Sequence, residues 1–183
     1  MNNTNGKIAE QSRKKLTKGF LELMKTYPYS DITVTQISQE AKLSRKTFYR
    51  LYKGKDEILL RYINYLNTEF LSEVHTKELH HYWDTILLYF EYWKKHSEFL
   101  LLLKQNELLY LLMQKSYEST FSVLAITKPY RLNVEEDPCL VYGMAFSMGG
   151  VSHMLMKWIE EGMSIEPKII VDYLHYGLQS SGI

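Results

Sequence analysis

Cysteine is almost absent from this sequence. The single thiol, Cys139, cannot close an internal disulfide, so nothing asks for an oxidising compartment. Proline is scarce as well, with four in 183 residues, and strand-like alternation is rare. No uninterrupted run of about 18 apolar residues occurs, so neither a transmembrane helix nor a membrane partner is expected. The opening stretch MNNTNGKIAEQSRKK lacks the apolar segment of a signal peptide. These absences point to a soluble cytoplasmic protein. The six histidines show no Cys/His ligand spacing, and His80 and His81 are adjacent, so no metal is expected. Lys53-Gly54-Lys55 lacks the rest of a phosphate-binding loop, GMAFSMGG lacks the nucleophile-elbow spacing, and there is no HExxH. No cofactor and no enzymatic activity are expected.

Strong net charge is also missing, since the total is +1. The balance is uneven along the chain, however. Residues 1–61 hold 13 Lys or Arg against 6 Asp or Glu, whereas residues 62–183 hold 9 against 15. A basic segment joined to an acidic one suggests that the first meets a polyanion. Its densest part is KLSRKTFYRLYKGKDEIL, residues 42–59, with six basic and three aromatic side chains.

Apolar residues recur three and four apart almost everywhere, which predicts an all-α fold. A first helix is expected over 7–26, ended by Tyr27-Pro28-Tyr29. Thr33 with Gln36 fits a capping box opening a short helix over 34–41. Lys42 and Leu43 make a tight turn, and Ser44 caps a third helix over 45–52. A fourth is expected over 55–75, then others near 81–95, 97–105 and 107–125. Residues 127–138 read as a loop. Asp137 and Pro138 then open a long helix to Glu161, stopped by Gly162, and a last helix starts at Ser164.

Two short helices joined by a tight turn form a helix-turn-helix, whose second helix enters the DNA major groove. On the third helix Lys46, Tyr49, Arg50 and Lys53 share one face, while Phe48, Leu51 and Tyr52 occupy the other. Arg and Lys can donate to guanine or to phosphate, Thr47 can touch a thymine methyl, and the Tyr49 hydroxyl can reach a phosphate. Free N–H groups at helix starts add anion sites near Thr33 and Lys55. The expected DNA contacts are Thr33, Thr35, Ser44, Arg45, Lys46, Thr47, Tyr49, Arg50, Lys53 and Lys55.

The segment TVTQISQEAKLSRKTFYRLYKGKDEIL resembles the DNA-binding domain of the TetR family of transcriptional regulators. Thr33, Ile37, Ala41, Ser44, Thr47, Phe48, Tyr49, Lys55 and Leu59 carry the match. Three positions depart from the pattern: Lys42 for the usual turn Gly, Ser38 for Ala, and Tyr52 for Phe. If position 42 requires positive φ, Lys there costs on the order of 1 kcal/mol. The ending WIEEGMSIEP with its amphipathic helix is similar to one C-terminal branch of the family, which includes regulators near dihydroxyacetone-kinase genes.

The resemblance implies a helix-turn-helix domain over 1–54 and a helical ligand-sensing and dimerisation domain over 55–183. Small residues keep the helix over 138–161 thin, and it should pair antiparallel with the last helix. Two copies of that hairpin could form a homodimer interface involving Gly143, Ser147, Gly150, Met154, Ile170, Tyr173, Leu174 and Gly177. Candidate pocket residues are Tyr62, Phe70, Tyr89, Trp93, Tyr110, Met113, Tyr117, Phe121 and Met148, each of which also suits plain core. The expected function is a ligand-responsive repressor that binds a palindromic operator in double-stranded DNA as a homodimer, with a small-molecule effector. The alternative is an interaction module with a vestigial head.

Overall fold

The three- and four-residue apolar spacing becomes helix throughout the computed structural model, which describes residues 2–79, 81–127 and 138–180. Among the described residues there are no strands. The helices are α1 (Asn2–Met24), α2 (Val34–Glu40), α3 (Arg45–Leu51), α4 (Lys55–Thr76), α5 (Tyr82–Lys95), α6 (Ser97–Gln105), α7 (Leu109–Thr127), α8 (Pro138–Glu160) and α9 (Pro167–Ser180). A 3-10 turn, Tyr29–Asp31, lies between α1 and α2. The expected loop beyond Thr127, the Asp137 cap and His80 lie outside the described residues. The chain divides into two compact units, Met1–Tyr65 and Leu66–Ile183.

In the first unit α1 packs on α2 and α3. Leu16, Phe20, Met24, Ile37 and Phe48 are fully buried at the centre, with Ile32 and Tyr52 nearly so. Gly19 permits the close approach of α1 to the end of α2. A Cβ there would stand 3.2 Å from the Ala41 nitrogen and from Glu40 Cγ. Thr33 caps α2 with the expected box: its hydroxyl accepts from the Gln36 amide at 3.2 Å, and its own amide donates to Gln36 Oε1 at 2.8 Å.

The turn after α2 is a Schellman motif. The Lys42 amide donates to the Gln39 carbonyl at 3.0 Å and the Leu43 amide to the Ser38 carbonyl at 2.9 Å. Lys42 sits at φ 54°, so the residue that replaces the usual glycine does occupy the left-handed region. The same motif ends α6, with Glu107 at φ 59°, and α8, with Gly162 at φ 75°. The motif at Glu107 explains why α7 begins at Leu109 rather than 107.

In the second unit α5 is the most deeply buried element, through Ile86, Leu88, Tyr89, Phe90, Tyr92 and Trp93. Helix α6 adds Phe99, Leu100, Leu102 and Leu103, and α8 adds Val151, Leu155, Trp158 and Ile159. Lys104 Nζ donates to the Ile159 and Glu160 carbonyls, placing a cation on the C-terminus of α8.

Helix α9 departs from expectation twice. It starts at Pro167, not Ser164, because a proline disfavours helix at the residue before it and suits the first helical position. Its main packing partner is α5, through Ile170 and Val171, rather than α8. An open groove of about 550 Å³ runs between α8 and α9, lined by residues that include Met154, Trp158, Ile170 and Leu174. The Trp158 indole still ties the intervening loop down by donating to the Ile165 carbonyl at 2.9 Å.

By length and composition alone, α8 is long and apolar enough to cross a membrane, with Gly, Ser and His interrupting its apolar residues.

Candidate nucleic-acid interface and interior cavity

Ser44 sets the start of α3. Its hydroxyl accepts from the Thr47 amide at 3.1 Å and lies 3.0 Å from the Thr47 hydroxyl. That cap points the first turn, with Arg45 and Lys46, into solvent. Phe48 faces the core at 0% exposure, and the two flanking aromatics divide between the faces. Tyr49 is 54% exposed, with its ring edge-on to Phe48 at 5.4 Å. Tyr52 is buried, and its hydroxyl reaches Thr17 on α1, which explains why tyrosine is accommodated there. Burial raises that phenol's pKa, so it remains neutral.

Arg45, Lys46, Tyr49 and Arg50 are exposed on α3, with Thr47 half-buried; α3 ends at Leu51 and Tyr52 is extended, so Lys53, expected on the same helical face, is exposed just beyond the helix. Thr33, the cap of α2, and Thr35 within it are exposed. Among the described residues, none of Lys42, Arg45, Lys46, Arg50 and Lys53 forms an ion pair. A group of cations without internal partners is available to an external polyanion.

Lys55 is different. Its ammonium donates to three main-chain carbonyls, those of Tyr29, Ser30 at 2.9 Å and Ile32 at 3.0 Å. It also lies 4.6 Å from the centre of the Tyr29 ring. The Tyr29 hydroxyl donates to Asp56, and the Lys53 amide donates to Glu57 at 2.7 Å. Lys55 therefore clamps the α1–α2 connection to the start of α4. Sequence reasoning saw the cation and not the carbonyls, because the three acceptors lie more than 20 residues upstream.

The second unit contains a cavity of about 80 Å³ bordered by α4, α5, α7 and α8. Of the expected pocket residues it brings together Phe70, Tyr89 and Met148. Trp93 is buried without lining it, Met113 does not line it, and Tyr110 and Tyr117 are exposed on α7. Tyr62 belongs to the other unit, and the Phe121 side chain lies outside those described. The lining also includes Asn67, Thr85, Ser116, Ser119 and Met144. The four polar members carry no pocket signature in the sequence, whereas Met144 lies one helical turn before Met148 on α8. Burial pushes the Tyr89 phenol up to about 12, and its hydroxyl makes no hydrogen bond among the described residues, with Ser116 and Trp93 nearby.

On the outer side of the second unit, Tyr142 and Phe146 are 76% and 70% exposed, and Tyr173 and Tyr176 are 65% and 70% exposed. A Cβ built on Gly143, Gly149, Gly150 or Gly177 meets nothing within 4 Å. Of the other expected interface positions, Ser147 is held by Tyr82 at 2.7 Å, Met154 and Leu174 are half-buried in the groove, and Ile170 is buried.

Residues 17–62 match the family model described as bacterial regulatory proteins of the tetR family, and residues 81–179 match a transcriptional regulator C-terminal region. The chain belongs to the TetR family of transcriptional regulators. A curated relative, the HTH-type dhaKLM operon transcriptional activator DhaS of Lactococcus lactis subsp. lactis, is 38% identical over 48 residues. That match spans 26% of this chain and 26% of the relative. Two solved structures share the fold, both at a TM-score of 0.63. One is a dihydroxyacetone kinase operon activator DhaS, 16% identical, covering 93% of this chain and 95% of that one. The other is the fatty acid degradation regulator FadR from Bacillus halodurans, 12% identical, covering 90% and 93%. Helix α3, with its exposed basic side chains, lies within the segment that matches the family's N-terminal model.

Proposed function

We propose that this TetR-family regulator binds a palindromic operator as a homodimer and is released from it by a small-molecule effector. The observation that carries this reading is the exposed, internally unpaired basic stripe on α3. In it Arg45, Lys46 and Thr47 read bases while Tyr49, Arg50 and, just beyond the helix, Lys53 hold phosphate. Thr33, Thr35 and Ser44 add backbone contacts at helix starts. Lys55 acts mainly by holding α4 in register, with the helix start beside it facing the phosphate. In this reading residues 1–54 are the reading head and residues 55–183 sense the effector and dimerise.

The exposed Tyr142, Phe146, Tyr173 and the open glycines of α8 and α9 supply a self-complementary apolar surface for a second copy. Two heads related by a two-fold then match two half-sites. The effector acts by binding one conformation of the second domain better than another. No catalytic role and a cytoplasmic location belong to the same proposal.

Selection of purified protein on random duplex DNA at two salt concentrations tests the reading. The expected result is a palindrome with half-sites about one helical turn apart, 34–36 Å, and a steep loss of affinity with salt. A folded dimer that enriches no motif would overturn it in favour of an interaction module. Replacing Lys46 and Tyr49 by Ala separates the two, since activity survives only in the module. Activation instead of repression is favoured by one observation, the name of the curated relative. Expression of a reporter behind the selected operator, with and without the protein, gives the sign.

A further inference from the structure

We propose that the cavity in the second unit takes a small uncharged molecule, largely apolar, whose single hydrogen-bond acceptor meets the amide of Asn67. This deepens the effector reading above and rests on it.

Asn67 lines the cavity and is 7% exposed. Its Nδ2 has no hydrogen-bond partner among the described residues. Buried amide donors are almost always satisfied, so an unpaired one bordering a cavity marks where an acceptor is to sit. Among the described residues, no Lys, Arg, His, Asp or Glu borders the cavity. An ionised ligand would lose its hydration there with nothing of opposite charge to replace it. The remaining polar groups are hydroxyls; that of Tyr89, also buried without a hydrogen-bond partner among the described residues, stays a neutral phenol and can donate to the same acceptor. Phe70, Met144 and Met148 supply apolar walls, and the two flexible thioethers can adjust to ligand shape. At about 80 Å³, roughly half the volume of a cavity that takes benzene, the space suits a molecule of about three to four heavy atoms.

Three probes of four heavy atoms and the same shape separate the alternatives: acetone, isobutene and acetate. Each is titrated into the full-length protein without DNA. The readouts are the methyl resonances of Met144 and Met148 and the side-chain amide of Asn67. Acetone is expected to bind about tenfold more tightly than isobutene, one hydrogen bond's worth of preference, and acetate is expected not to bind. In Asn67→Leu the ketone preference should fall while isobutene still binds. If that variant fails to fold, the comparison of ketone with alkene in the native protein decides alone.

Equal binding of ketone and alkene would overturn the acceptor assignment, as when a resident water keeps Asn67 satisfied. Tighter binding of the carboxylate would overturn the uncharged class. Both outcomes leave the cavity as an effector site. Entry of none of the three would overturn the proposal and the effector reading of this cavity together. DNA selection is read independently of all four outcomes.

Discussion

The Leu43 amide donates to the Ser38 carbonyl at 2.9 Å, closing the turn between α2 and α3 over Lys42, which stands at φ 54°. Both residues at the root of this turn, Lys42 and Ser38, are departures from the family's usual sequence. Each carries a stability consequence.

A left-handed conformation costs an L-residue about 1–2 kcal/mol, partly offset by the greater unfolded-state freedom of glycine. Lys42→Gly is therefore expected to stabilise the protein by about 0.5–1 kcal/mol. Lys42→Ala, which keeps the Cβ, should change stability little. Urea unfolding of the three proteins checks this, and a loss of stability in the glycine variant would count against the strained turn.

Ser38 is 2% exposed, and its hydroxyl has no hydrogen-bond partner among the described residues. Ser38→Ala removes an unsatisfied polar group and improves helix propensity, for an expected gain of about 1 kcal/mol. Because the side chain is buried, DNA affinity should stay the same. The unfolding midpoint and a binding isotherm measure the two effects separately.

Lys55→Met removes three charge-assisted bonds to the Tyr29, Ser30 and Ile32 carbonyls. With the site only partly buried, the expected loss is about 1–2 kcal/mol in the free protein. Unfolding without DNA distinguishes a clamp from a simple phosphate contact. A variant of native stability that binds DNA weakly would mean that the ammonium serves the phosphate.

Burial holds the His96 imidazole below its ordinary pKa of 6.5, opposed by Glu69, whose carboxylate lies 3.6 Å away. The folded protein therefore binds the proton less readily than the unfolded chain does. The stability linked to His96 is complete above about pH 6.5 and falls as pH drops through that value and the lower folded pKa. Unfolding midpoints measured at neutral and mildly acid pH should differ less in His96→Gln than in the native protein. An unchanged difference would assign the acid sensitivity to other groups.

Phe146 is 70% exposed in the single chain. Phe146→Glu should preserve folding and weaken self-association by about 2 kcal/mol for each copy of the residue at the interface. Sedimentation over a concentration series measures this. If the native protein is monomeric and the variant no different, the exposed apolar face needs another occupant, and partition onto lipid vesicles would test the membrane-length helix α8.

Local chemistry determined the helix-turn-helix segment. Thr33, Ser44 and Lys42 sit within a few residues of the groups they cap or strain, so the capping box, the second cap and the left-handed turn were all legible in the sequence. The division of α3 into a basic and an apolar face follows likewise from the helical period. The family resemblance over the same segment agreed with that chemistry. Tertiary structure alone decided the rest, because long-range contacts leave no fixed spacing. It brought Lys55 to carbonyls more than 20 residues away, laid α9 against α5, and gathered Asn67, Tyr89, Ser116 and Met144 from four helices around one cavity. A periodic pattern specifies which face of a helix is buried, but the partner that buries it is chosen only when all the helices compete for the same core.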